Sequence, residues 1–79
     1  MTEPIATAEQ ALIDAVREIS DDVERYKAVK ALEVRLDRSL REVKAEVARN
    51  LHEGRSWNQV GQMLGVTGSR AEQVSRGSR

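Results

Sequence analysis

Between Pro4 and Gly54 the chain contains neither proline nor glycine. These are the strongest breakers of regular structure, because proline lacks an amide hydrogen and glycine loses the most backbone freedom on ordering. A helix-permissive stretch this long, within a chain of 79 residues, leaves little room for anything but helices. An all-α fold is therefore expected, with turns confined to the region of Gly54, Gly61, Gly65, Gly68 and Gly77. A chain of this size buries only roughly 60% of its unfolded surface, so its core must be thin or shared with a second chain.

The apolar residues divide that stretch into two helices. Ala8, Ala11, Leu12, Ala15, Val16 and Ile19 recur in steps of three and four, the spacing of one helix face. Thr7 followed three residues later by Gln10 predicts a capped start to this helix. Its end is expected near Ser20, where Ser20-Asp21-Asp22 supplies acceptors for a new helix start and Asp21 with Glu24 repeats the capping-box spacing. The next series, Val23, Tyr26, Val29, Leu32, Leu36, Leu40, Val43, Val47 and Leu51, predicts one long amphipathic helix over 22–53. At roughly 1.5 Å per residue it would span about 48 Å, against about 20 Å for the first helix, so part of its stripe needs another cover. Leu36, Leu40, Val43 and Val47 follow a coiled-coil seam for about two heptads, which leaves both dimerisation and packing within one chain open. Leu12, Val16, Ile19, Tyr26, Leu36 and Leu40 are the candidate core or dimer residues. Asp37 with Arg41 and Arg38 with Glu42 mark a solvated face and contribute only about 0.2–0.5 kcal/mol each.

Charge adds a polarity to this plan. The total is zero, from 13 basic and 13 acidic side chains, but residues 1–24 carry seven acids against Arg17 alone, a net of minus six. Residues 49–79 carry five arginines against Glu53 and Glu72, a net of plus three. An acidic front and a basic back suit different partners. The absence of cysteine excludes a disulfide framework, a thiolate zinc site and a thiol nucleophile, and fits a reducing compartment such as the cytoplasm. The start Met1-Thr2-Glu3-Pro4 does not read as a secretory signal, and no apolar run approaches the roughly 20 residues of a membrane span.

After the long helix, Gly54 is a natural terminator because it takes the left-handed conformation without a Cβ penalty. Ser56-Trp57-Asn58-Gln59 then offers a capping box for a short helix to about Leu64. Gly65 should stop it, and Thr67 can cap a further helix to about Arg76. Val60 and Leu64 would face inward on the first short helix, Gly61 would allow close approach, Val66 would plug the corner, and Ala71 and Val74 would give the second its inner face. Val43, Val47 and Leu51 would supply the supporting helix.

On these residues the stretch Trp57–Arg76 resembles the helix-turn-helix of bacterial transcription regulators. It looks most like the region-four-type motif of sigma factors and small sigma-like proteins, whose habit is a glycine, Ser, an aromatic, two polar residues, an apolar-small pair and a Leu-Gly-apolar-Ser/Thr turn. Two departures stand out: Gly68 lacks a side chain in the first turn of the second helix, and Ala71 is smaller than the branched residue often found there. No segment resembles the promoter-melting parts of a full sigma factor.

The resemblance implies a small DNA-binding regulator in two segments, 1–48 for helical dimerisation and 49–79 for DNA, within one compact domain. Such a dimer would read major-groove half-sites about 34 Å apart and be nucleoid-associated when bound. Thr67, Ser69, Arg70 and Gln73 become candidates for base contact, Arg70 toward guanine and Gln73 toward adenine. Arg55, Ser56, Asn58, Gln59 and Arg76 become candidates for phosphate contact. The alternative is a protein-interaction module, an adaptor or antitoxin-like partner, docking through its acidic N-terminal helix. Trp57 is expected to pack against the long helix, and Tyr26 to lie in a core or interface. His52, the sole histidine, has only the adjacent Glu53 beside it, so neither a metal site nor catalysis is expected, and no cofactor is implied.

Overall fold

The computed structural model describes residues 3–77. Four helices follow in chain order: α1 over Glu3–Arg17, α2 over Asp22–His52, α3 over Trp57–Leu64 and α4 over Gly68–Ser75. The all-α architecture expected from the sequence is found: a short first helix, a long second one and two short helices at the C-terminal end. None of these helices is long and apolar enough to cross a membrane.

The α1 start differs from the expectation. Thr7 lies inside the helix rather than at its cap, because the helix already begins at Glu3. Pro4 is tolerated in a first turn, where its missing amide hydrogen would have had no partner, and the Glu3 carboxylate suits the positive end of the helix dipole. Gln10 does not return to Thr7 but donates from Nε2 to Asp14 Oδ1 at 2.9 Å. The break after α1 falls where the acceptors predicted it. Asp21 Oδ2 accepts from the Glu24 amide at 2.9 Å, and the Asp21 carbonyl accepts from the Arg25 amide at the same distance. Arg25 fixes the turn from inside α2, donating from Nε to the Ile19 carbonyl at 2.9 Å.

The chain divides into two compact units, residues 1–35 and 36–79, with the division inside α2. No described side chain of the first unit is buried; Leu12, Val16 and Ile19, with Ala28, Val29 and Leu32, are its half-buried apolar residues. Tyr26, a core candidate, is 65% exposed, because it stands outside that half-buried set.

Among the described residues, the second unit holds every buried one: Ala45 and Ala48 of α2, Val60 and Gly61 of α3, and Ala71 and Ser75 of α4. This core is built from small residues, with Val60 its largest fully buried side chain. The expectation that Val43 and Val47 support the short helices is corrected. Both are exposed, and the face that α2 buries is Ala45 and Ala48, in line with half-buried Arg41 and His52. Positions 41, 45, 48 and 52 repeat the steps of four, three and four, about 140° around the helix from the line of Leu36, Leu40, Val43 and Val47. A methyl-sized side chain there lets helix axes approach more closely than valine would permit. Leu36 and Leu40 are likewise exposed and are not core residues of the chain.

Two arginines of α2 fasten the far end of α4. Arg49 donates from Nη1 to the Ser75 carbonyl at 2.7 Å, and Arg41 from Nη1 to the Gly77 carbonyl at 3.3 Å. Both satisfy carbonyls at a helix C-terminus, where a cation also complements the negative end of the dipole. Arg41 is itself held by Asp37, at 2.9 Å from Nε and 2.7 Å from Nη2.

Candidate nucleic-acid interface

The short helix pair is fixed by local chemistry at each of its joints. Gly54 takes φ +75° after the last turn of α2, and Arg55 folds back to donate from Nη1 to the Leu51 carbonyl at 3.0 Å. Ser56 is extended and caps α3, its Oγ accepting from the Gln59 amide at 3.2 Å while Gln59 Oε1 accepts from the Ser56 amide at 2.9 Å. The predicted capping box is thus complete. Trp57, at the first position of α3, stacks on His52, the last residue of α2, with ring centroids 3.7 Å apart and planes 10° from parallel. The expected packing of Trp57 on the long helix is found, at its very end. His52 Nδ1 is buried in this arrangement without a hydrogen-bond partner among the described residues.

The turn between the short helices follows the Schellman pattern. Gly65 adopts φ +75°, its amide donates to the Gln62 carbonyl at 3.4 Å, and the Val66 amide donates to the Gly61 carbonyl at 2.8 Å. Thr67 then caps α4, accepting from the Arg70 amide at 3.0 Å through Oγ1 and from the Ala71 amide at 2.9 Å through its carbonyl. A β-carbon on Gly61 would lie 2.7 Å from the Val66 carbonyl oxygen and 2.8 Å from the Thr67 carbonyl carbon. Glycine is therefore required where the turn crosses α3.

Gly68, the departure noted in the motif, has a structural reason. A β-carbon there would collide with Asn58 Oδ1 and lie 3.1 Å from the Asn58 amide nitrogen. The first turns of α3 and α4 are consequently in contact. This brings the amino ends of the two helices together, and helix amino ends favour anionic groups such as phosphate.

On α4 the buried positions are Ala71 and Ser75, flanked by half-buried Gly68, Arg70 and Val74. Ser69, Glu72, Gln73 and Arg76 form the opposite, exposed face at steps of three, one and three. Thr67 is exposed at the cap. Arg70 stands at the border of the two faces, and no hydrogen bond or ion pair among the described residues engages its guanidinium. On α3, Ser56, Asn58 and Gln59 are all exposed, although the side-chain acceptors of Ser56 and Gln59 are committed to each other.

The basic excess is less available than its count implies. Arg49 and Arg55 bind backbone carbonyls, and Arg76 Nη1 lies 3.6 Å from Glu72 Oε2, so one phosphate candidate already has an acidic neighbour. Arg79 lies outside the described residues. Sequence reasoning missed the Asn58–Gly68 contact and the Arg41 and Arg49 clamps. The first leaves no trace in spacing; of the second, only Arg41 lies on the line Arg41-Ala45-Ala48-His52, which ranking by side-chain size passes over. No protein family, curated protein or solved structure matches the chain.

Proposed function

We propose that the chain binds duplex DNA in a sequence-specific manner, as a small transcriptional regulator. In this reading α4 enters the major groove and the first turn of α3 rests on the phosphate backbone. The reading is carried by one observation: Asn58 against Gly68 holds the amino ends of α3 and α4 together, beneath an outward α4 face made of polar side chains. Thr67, Ser69, Arg70 and Gln73 are the residues for base edges, and Ser56, Asn58, Gln59, Arg55 and Arg76 those for phosphates. Arg70 has the strongest claim, because its planar fork matches O6 and N7 of guanine and none of the described residues bonds its guanidinium. One helix of this size offers few base contacts, so an inverted repeat read by two copies is the expected target.

Selection of bound duplexes from a random pool at about 150 mM salt, near physiological ionic strength, tests the reading. Enrichment of one motif, with one position relaxed in Arg70→Ala, is expected. A folded protein that enriches nothing would remove specific DNA binding.

A second reading, docking of another protein on the acidic front, is favoured by the first unit itself. It contains no buried side chain among its described residues, and Ile5 is 72% exposed. In that case Arg70→Ala with Gln73→Ala would leave partner binding intact, whereas Leu12→Asp would abolish it.

A further inference from the structure

Leu36, Leu40, Val43 and Val47 form one line along α2, all of them in the second unit and all exposed, Leu40 at 59% and Val43 at 54%. At the C-terminal end of this line, Val43 and Val47 with Leu64, Val66 and Val74 wall an open groove of about 300 Å³, with Lys44 and Arg70 at its lining as well. The groove sits at the lower end of small-molecule pocket sizes, and apart from Lys44 and Arg70 its lining is aliphatic, which suits an aliphatic side chain. The patch therefore carries protruding leucines at one end and a recess at the other. A surface of this kind is complementary to itself under a two-fold rotation, which is what an isologous dimer requires.

We propose that a second copy of this chain packs antiparallel on this face. Leu36 of each copy then enters the groove of the other beside Val47, and Leu40 meets Val43 of the second copy. Charge selects the antiparallel sense. Asp37 and Lys44 follow Leu36 and Val43 and lie seven residues apart, so they share one flank of the line. In an antiparallel pair that flank meets itself, and Asp37 stands opposite Lys44 of the second copy twice over. In a parallel pair it meets the flank of Ser39 and Glu46, where Lys44 falls opposite Ser39 and Asp37 gains no cation. Asp37 is bound by Arg41 in its own chain, and an ionised carboxylate accepts from more than one donor.

Arg70 lines this groove and is also the residue proposed for base contact, so the test is made without DNA and decides self-association by itself. The chain has no cysteine, so introduced thiols are unambiguous. Full-length Leu36→Cys and Val47→Cys proteins are mixed and oxidised, and a mixed 36-to-47 disulfide is expected to dominate. Dominant 36-to-36 and 47-to-47 disulfides would mean a parallel pair and overturn the proposal. Sedimentation of the unmodified chain at tens of micromolar should give twice the monomer mass; the monomer mass alone would overturn it. Lys44→Glu changes an exposed side chain and should weaken self-association several-fold with helicity unchanged by circular dichroism. Self-association of Lys44→Glu as strong as that of the unmodified chain would overturn the assigned orientation.

Discussion

Asn58 occupies the space that a β-carbon on Gly68 would need, so the first turns of α3 and α4 can touch only because residue 68 is glycine. At Gly61 the obstruction is of another kind, since the nearest atoms are backbone: Val66 O at 2.7 Å, Thr67 C at 2.8 Å and Gly68 N at 2.9 Å. A side chain can rotate away and a capped turn cannot. Gly61→Ala should therefore destabilise the second unit by about 1–3 kcal/mol, the usual scale of overpacking. Gly68→Ala should cost less, because the Asn58 side-chain oxygen can rotate away, the Asn58 backbone N and Cα at 3.1 and 3.2 Å need give only a few tenths of an ångström, and alanine regains up to about 1 kcal/mol of helix propensity. Trp57 is the only tryptophan, so its fluorescence during denaturation reports on this unit. Equal midpoints for Gly61→Ala and the unmodified protein would contradict the close crossing.

The capping box makes a second prediction. Ser56 and Gln59 satisfy one another's amides at the start of an eight-residue helix with no turn to spare. Ser56→Ala should lower stability by about 1 kcal/mol, and Ser56→Gly by only a few tenths, since glycine tolerates the cap conformation. The ranking is checked by urea denaturation of the three proteins. Alanine no worse than glycine would count against the cap as a stabilising element.

The parts of the fold that were legible in the sequence are those set by local chemistry. The Asp21 turn, the Gly54 stop, the Ser56–Gln59 box, the Gly65 turn and the Thr67 cap each depend on residues within a few positions of one another. What the sequence concealed depends on distance through space. The choice between Val43-Val47 and Ala45-Ala48 as the buried face depends on packing between segments far apart in the chain, and apolar spacing along α2 alone does not decide it. The Glu72–Arg76 pair is local, four residues apart on α4, whereas the half-buried place of Arg70 beside Val43 and Val47 is supplied only by the fold.

His52 and Trp57 permit a test of a stacked pair that carries an orphaned polar atom. The rings lie 3.7 Å apart, and the buried Nδ1 of His52 has no partner among the described residues. His52→Phe keeps an aromatic face and removes the unsatisfied nitrogen, so stability should hold or rise, by up to about 1–3 kcal/mol if the whole desolvation cost is recovered. His52→Ala removes the stack and should lose about 0.5–1.5 kcal/mol beyond the lost contact area. Thermal denaturation followed by Trp57 fluorescence distinguishes them; a phenylalanine variant weaker than the alanine one would exclude the stack as the stabilising element.

The Glu72–Arg76 pair separates the two kinds of DNA contact expected of α4. At 3.6 Å, and with both side chains about half exposed, the pair is weak, and Glu72 also places a negative charge on the face that would meet DNA. Glu72→Gln should raise affinity for every duplex by a similar factor. It should also steepen the fall of log K with log salt by up to about 0.9, the increment for one more phosphate engaged. Arg76→Ala should do the opposite, again without regard to sequence. Arg70→Ala should instead cost about 1–3 kcal/mol on the selected duplex and relax one base position, while binding to unrelated duplexes changes little. Titrations of the three variants against a selected and a scrambled duplex, at two salt concentrations, measure all of these at once. If Arg70→Ala weakens both duplexes equally, Arg70 is a phosphate contact, and base reading then falls to Ser69 and Gln73.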